Sequence, residues 1–227
     1  RDVYRRMGVT YASNAEIQTR FRYNPDVRSL PAIVPAVIPL LLLLIPAMLA
    51  ALAVVREKEL GSIVNLYVTP VTRTEFLIGK QLPYLVLGMV NFMMMTLMAV
   101  TVFGVPIRGN FWVLAAAAVL FLVFSTGFGL VASIFTRSQI AAMFATLLGT
   151  LLPAFQWSGL LNPVSSLEGL GAAIGRIYPA TYFLIISRGV FNKALGLAEL
   201  RGTLVPLALA APVIMALAVA LLRKQDR

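Results

Sequence analysis

Histidine and cysteine are both absent from the 227 residues. Without cysteine there is neither a disulfide framework nor a thiolate metal site. Without histidine the commonest general base and metal ligand is missing as well. Carboxylates are scarce: the nine are Asp2, Glu16, Asp26, Glu57, Glu59, Glu75, Glu168, Glu199 and Asp226. All lie outside the long apolar blocks or at their ends. A proton- or sodium-coupled transporter needs a titrating or coordinating group within the membrane, and none is found there. The glycines are scattered, so no phosphate-binding loop is formed. No catalytic residue and no metal ligand is assigned, and no cofactor is expected in this chain. If the chain moves a solute uphill, the energy must come from another domain or subunit.

What the chain does have is hydrocarbon. Apolar residues make up 59% of it, against about 45–50% in an average soluble domain, and mean hydropathy is +0.87. A helix needs about 20 consecutive apolar residues to cross a bilayer. Five blocks reach that length, at 31–55, 82–103, 111–136, 139–161 and 203–222. The expected fold class is therefore an all-α integral membrane protein, a polytopic helical bundle. The net charge of +10 raises the question of nucleic acid. The basic residues sit between spans rather than on one soluble face, so lipid headgroups are the expected counter-charge and no nucleic-acid partner is expected.

Residues 1–30 are polar and basic. In EIQTRFRYNP, Ile17, Thr19, Phe21 and Tyr23 alternate with Gln18, Arg20 and Arg22, which predicts a half-buried strand closed by Asn24-Pro25. A lone strand is marginal in water, no signal peptide is visible, and position 1 is not methionine. The expectation is a chain continuing upstream, with 1–30 as the C-terminal remnant of an extracytoplasmic domain and 31–227 as the transmembrane domain.

The first block carries Pro31, Pro35, Pro39 and Pro46. Proline removes a backbone hydrogen bond, tolerated in lipid only where neighbours satisfy the freed carbonyls. A kinked packing helix is the favoured reading, with a hinge lining a pathway as the alternative. Small residues at four-residue spacing, Ser125, Gly129 and Ser133 in one block and Ala141, Ala145 and Gly149 in the next, predict close helix approach. Between 162 and 202, turn residues surround TYFLIISRGVF, an apolar run too short to span and read as re-entrant or interfacial. Within the spans the notable polar residues are Asn91, Thr96, Gln156 and Ser158, candidates for a substrate pathway, although most such groups bond a neighbouring helix. Met93, Met94, Met95 and Met98 form an adaptable apolar cluster, suited to varied ligands but equally to packing or lipid.

The connection from 56 to 80, REKELGSIVNLYVTPVTRTEFLIGK, is unusually ordered for a loop between spans. Arg56 and Lys58 suit headgroups and a helix C-terminus, and Gly61 is a natural stop. Ser62 can cap a short helix with Ile63, Leu66 and Tyr67 on one face, ended by Thr69-Pro70. Thr72 and Glu75 have capping-box spacing, with Val71 and Phe76 placed as a hydrophobic staple, and open a helix continuing into the second span. Local rules leave open whether the short helix rests on membrane lipid or docks on a cytoplasmic partner.

If that connection is cytoplasmic, its side holds Arg56, Lys58, Arg73, Lys80, Arg137, Arg223, Lys224 and Arg227, against Arg108, Arg176, Arg188, Lys193 and Arg201 opposite. This positive-inside bias puts the C-terminus in the cytoplasm and residues 1–30 outside.

REKELGSIVNLYVTPVTRTEFLIGKQLPY resembles the segment after the second span of ABC-2 type transporter permeases, where a basic-acidic run, Gly-Thr/Ser, a short helix and Thr/Ser-Pro follow one another. SGLLNPVSSLEGLGAAIGRIYPATYFLIISRGVF, at 158–191, resembles the external loop of that family, and YNPDVRSLPAIVP, at 23–35, the entry into its second span. The insert and loop look most similar to the ABC-2 region of ribosome-associated ATPase-type proteins, in which ATP-binding cassettes are fused ahead of the membrane part. The resemblance implies a bacterial inner-membrane exporter half of six spans, five of them present here. It implies a partner cassette, fused or separate, that binds ATP and Mg, and a second permease half in a homo- or heterodimer, with a periplasmic adaptor as a further partner. It also implies that 56–80 is a coupling segment docking on the cassette, through Glu57, Glu59, Gly61, Ile63, Leu66, Tyr67, Thr69 and Pro70. Two residues depart from the pattern: Val64 stands where an acid is frequent, and Ala36 where glycine often follows proline. The implied function is ATP-driven efflux of a drug, lipid or other amphipathic molecule. The alternative is a membrane anchor of a ribosome-associated ATPase without transport.

Overall fold

A computed structural model describes residues 29–61, 72–161 and 163–222. The strand expected at 17–23 and the short helix expected at 62–69 lie outside the described residues. Those residues form α1 (Ser29–Glu59), α2 (Arg73–Thr101), α3 (Phe111–Phe135), α4 (Gln139–Trp157), a 3₁₀ turn at Val164–Ser166, α5 (Gly169–Ile177), α6 (Pro179–Asn192) and α7 (Leu197–Leu221). α1, α2, α3, α4 and α7 are each long and apolar enough to cross a membrane. α5 and α6 bend by 67° at a short break, which makes them a broken span or a re-entrant loop.

Helix bounds and apolar blocks do not coincide, for a physical reason. Hydropathy marks the stretch that prefers hydrocarbon, whereas caps mark where a helix begins. α2 starts nine residues before its apolar block because Thr72 and Glu75 close the expected capping box: the Glu75 amide donates to Thr72 Oγ1 at 3.3 Å, and the Thr72 amide to Glu75 Oε2 at 2.8 Å. α7 likewise starts at Leu197, with the Gly196 amide donating to Glu199 Oε2 at 2.9 Å. α3 and α4 begin at Asn110 and Ser138, whose side chains accept from Trp112 N and Ala141 N.

α1 is the axis of the bundle, packed against α2, α3, α4 and α6. It stays helical through Pro35, Pro39 and Pro46. An α-helical amide donates to the carbonyl four residues back, so Pro35 and Pro39 leave the carbonyls of Pro31 and Pro35 without their helical donor. α6 supplies both replacements. Asn192 Nδ2 donates to the Pro31 carbonyl at 2.7 Å, and the buried Ser187 Oγ donates to the Pro35 carbonyl at 2.6 Å. In the turn loosened by Pro46, Ser125 Oγ of α3 donates to the Leu43 carbonyl at 2.7 Å. One turn further along, a side chain at Gly129 would collide with the Ala47 backbone carbonyl, so glycine is what lets α1 and α3 touch.

The row Ser125, Gly129, Ser133 thus faces α1 as its spacing predicts. The row Ala141, Ala145, Gly149 does not form the buried seam of α4. That seam runs one residue later, through Ala142, Thr146, Thr150 and Ala154. Threonine can turn inward because its hydroxyl bonds its own helix: Thr146 Oγ1 donates to the Ala142 carbonyl at 2.8 Å and Thr150 Oγ1 to the Thr146 carbonyl at 2.6 Å. Around this scaffold the core is aromatic and aliphatic, with Phe121 and Phe183 stacked at 4.5 Å between α3 and α6.

Replacing Ser187 by alanine leaves the Pro35 carbonyl buried without a donor and should cost about 1–3 kcal/mol, read as a lower thermal midpoint of the detergent-solubilised protein. Adding Pro39→Ala restores an amide at that position and should recover part of the loss. An unchanged midpoint in S187A would show that the carbonyl finds another donor.

Candidate coupling site

The last turn of α1 carries three consecutive charges, Glu57, Lys58 and Glu59. Successive residues of an α-helix point about 100° apart, so the three fan out toward different neighbours. Glu57 forms an ion pair with Lys80 of α2, both side chains about one-third exposed at 31% and 29%. Lys80 also lies 5.8 Å from the Phe76 ring centroid. Lys58 Nζ turns the other way and donates to the carbonyls of Ser133, Ile134 and Thr136, the latter two at 3.3 Å. These belong to the C-terminal end of α3, where carbonyls lack helical donors and a cation is favoured. Glu59 accepts from the Gln139 backbone amide at 2.8 Å and from Gln139 Nε2, at the first turn of α4. There the free amides and the positive helix end favour an anion.

One turn of α1 therefore ties the start of α2, the end of α3 and the start of α4. Immediately after it the chain stops its helix. Leu60 N and Gly61 N donate to the carbonyls of Arg56 and Lys58, and Gly61 adopts φ +72°, a conformation glycine tolerates without strain. With the capping box at Thr72 on the far side, both roots of the connecting segment are anchored. Ile63, Leu66, Tyr67, Thr69 and Pro70, as well as Val64, lie outside the described residues.

For Glu57 and Glu59 the geometry adds a bundle-facing role to the expected partner-facing one. Lys80 and Gln139 complete the arrangement, and sequence reasoning missed their part in it, while Lys58, expected at a helix C-terminus, meets that of α3 rather than its own. The available signal was the alternation of sign in Glu57-Lys58-Glu59 at a helix end, which lipid headgroups alone do not require.

The four polar residues named for a substrate pathway are not brought together. Asn91 lines an apolar groove of about 260 Å³ with Pro46, Tyr84 and Met94. Thr96 is buried, with its hydroxyl unpartnered. Gln156 is exposed. Ser158 is buried, donates to the Ala154 carbonyl and lines a separate cavity at the opposite end of the bundle from Glu57. Met93, Met94 and Met98 are exposed on α2, and the first two line an almost wholly apolar groove that also includes Leu85 and Leu97.

A family model described as ABC-2 family transporter protein matches residues 7–220. The chain belongs to that family. It is a multi-pass membrane domain of the ABC-2 type, and its all-helical described residues accord with such a permease. It is 35% identical over 184 residues to the probable multidrug ABC transporter permease YbhS of Escherichia coli, covering 81% of this chain and 49% of that one. The related YbhR is 25% identical over 195 residues, covering 86% and 53%. The inner membrane transport permease YhhJ of the same organism is 28% identical over 193 residues, covering 82% and 51%. The chain thus spans about half the length of these curated relatives. No solved structure matches it.

Lys58→Met keeps the aliphatic stem but removes the donor to three ABC-2 domain carbonyls. It should lower stability by roughly 1 kcal/mol, the partly exposed position keeping the loss small, and loosen the α1–α3 contact. Hydrogen exchange of the backbone amides at the end of α3, followed by mass spectrometry, measures that loosening. An unchanged rate would remove Lys58 from the tie.

Proposed function

We propose that this chain is the membrane-spanning part of an ATP-driven ABC-2 exporter, with 56–80 as the element that receives force from an ATP-binding cassette. The observation that carries this reading is the fan of Glu57, Lys58 and Glu59 at the root of the connecting segment. A push on residues 62–71 reaches α1 and α2 directly through the chain. It reaches α3 and α4 through side-chain bonds made within one turn. A segment resting passively on lipid would need no such tie.

The cassette, fused upstream or separate, would bind ATP and Mg and carry out hydrolysis, and this chain would supply no catalytic group. A second permease half would complete the pathway, as a homodimer or heterodimer, with surrounding lipid and a periplasmic adaptor as further contacts. The chain would sit in a bacterial inner membrane with the 56–80 connection and the C-terminus in the cytoplasm and residues 1–30 outside. An amphipathic drug or lipid is the proposed cargo, supported by the multidrug naming of YbhS and by the apolar grooves along α2. The alternative of a ribosome-associated anchor without transport draws no support from these relatives, whose names are those of permeases.

The test is charge exchange in the full-length protein, reconstituted with its cassette. Glu57→Lys should lower efflux per ATP hydrolysed several-fold, and Lys80→Glu added in the same chain should restore much of it. Loss without restoration would mean that the Glu57 carboxylate meets the cassette rather than α2. Efflux unchanged by Glu57→Lys would remove the fan from the coupling path.

A further inference from the structure

At the end of the bundle away from Glu57, a cavity of about 540 Å³ opens between the start of α1, residues 158–159 and 163–165, and α6. That volume falls within the range of small-molecule sites. Its wall is divided. Pro31, Ala32, Leu184 and Ile185 are apolar, while Arg188 and Lys193 supply the charge, and no carboxylate stands among the described lining residues.

Arg188 is half-buried and fixed by two bonds to backbone: Nη1 donates to the Gly159 carbonyl at 3.1 Å and Nη2 to the Leu160 carbonyl at 3.2 Å. A guanidinium has five N–H donors in a rigid planar fork. Two are committed to these carbonyls, which leaves three on a side chain already held in place. Of the other polar side chains of the wall, Ser158, Thr181 and Asn192 each donate to a backbone carbonyl. A fixed planar cation with spare donors matches the geometry of a phosphate or carboxylate oxyanion. Holding the guanidinium in advance also reduces the entropy lost on binding.

We propose that this cavity is a binding site for a phosphate oxyanion, with Arg188 as its principal donor and the α1–α6 wall receiving the adjoining hydrocarbon. The shared chemistry is the phosphate group, whether free or carried on a lipid headgroup, and the apolar half of the wall favours the lipid. The site does not depend on coupling to a cassette, so it is measured without ATP.

The experiment uses the full-length protein in a neutral detergent, with thermal stabilisation and native mass spectrometry as readouts. Phosphatidylglycerol, inorganic phosphate and diacylglycerol are added separately. Phosphatidylglycerol should stabilise the protein and remain bound, and diacylglycerol should not. Stabilisation by inorganic phosphate at comparable concentration would assign the site to the free anion. Arg188→Gln should weaken phosphatidylglycerol binding about tenfold or more and Arg188→Lys by less, whereas Arg108→Gln, at an exposed position, should leave it unchanged. Ile185→Trp, which puts a bulky ring on the apolar wall and keeps the Arg188 guanidinium, should also abolish binding and covers the case in which R188Q folds poorly. Equal binding of phosphatidylglycerol and diacylglycerol, or binding retained in both R188Q and Ile185→Trp, would overturn the proposal.

Discussion

A backbone carbonyl in hydrocarbon must have a donor, and the organisation of this bundle follows from that requirement. Beyond its first turn α1 carries three prolines, each withdrawing one amide from the helix ladder. In water the freed carbonyls would be solvated; in a membrane they need protein partners. Ser187 and Asn192 meet that need at two successive turns, and this places α6 against α1 in a defined register. The 14-residue α6 is too short to cross a bilayer alone, yet it is among the most buried parts of the structure. Its position is set by hydrogen bonding as much as by hydrophobicity.

The other end of α1 uses the same physics with charges. The terminal carbonyls of α3 and the first amide of α4 are groups that any helix leaves unpaired. Lys58 and Glu59 complete them. Near the surface such contacts contribute modest energy, so their value lies in geometry. They bring helix ends that belong to different spans into contact with one turn of α1, immediately before the chain leaves the bundle. On the proposed function, this is where motion of a partner would enter. The proline-rich end, with its cavity and Arg188, is where a ligand would be held.

Much of this architecture is legible in the residues themselves. The apolar blocks announce the helices that are long enough to span. The capping box at Thr72 and Glu75 and the stop at Gly61 are local signals that the structure realises as read. The row Ser125, Gly129, Ser133 correctly marks the α1–α3 contact. The parallel inference for Ala141, Ala145 and Gly149 holds only at Gly149, where a side chain would collide with the Phe128 ring, because smallness is only one way to allow close packing. Threonines that bond their own helix pack equally well, and the seam of α4 follows Thr146 and Thr150 instead.

By itself, then, the sequence determined much of what depends on a residue and its near neighbours: which segments are long and apolar enough to span, and the local stop at Gly61 and cap at Thr72. Its absent histidine and cysteine and its peripheral carboxylates also removed whole classes of chemistry. Only the tertiary structure decided which distant groups meet. Nothing near Pro35 names Ser187 as its donor, and nothing near Lys58 names the end of α3. Those pairings span gaps of 152 and 75 to 78 residues. They arise from how the helices pack in three dimensions, which local propensity and periodicity do not encode.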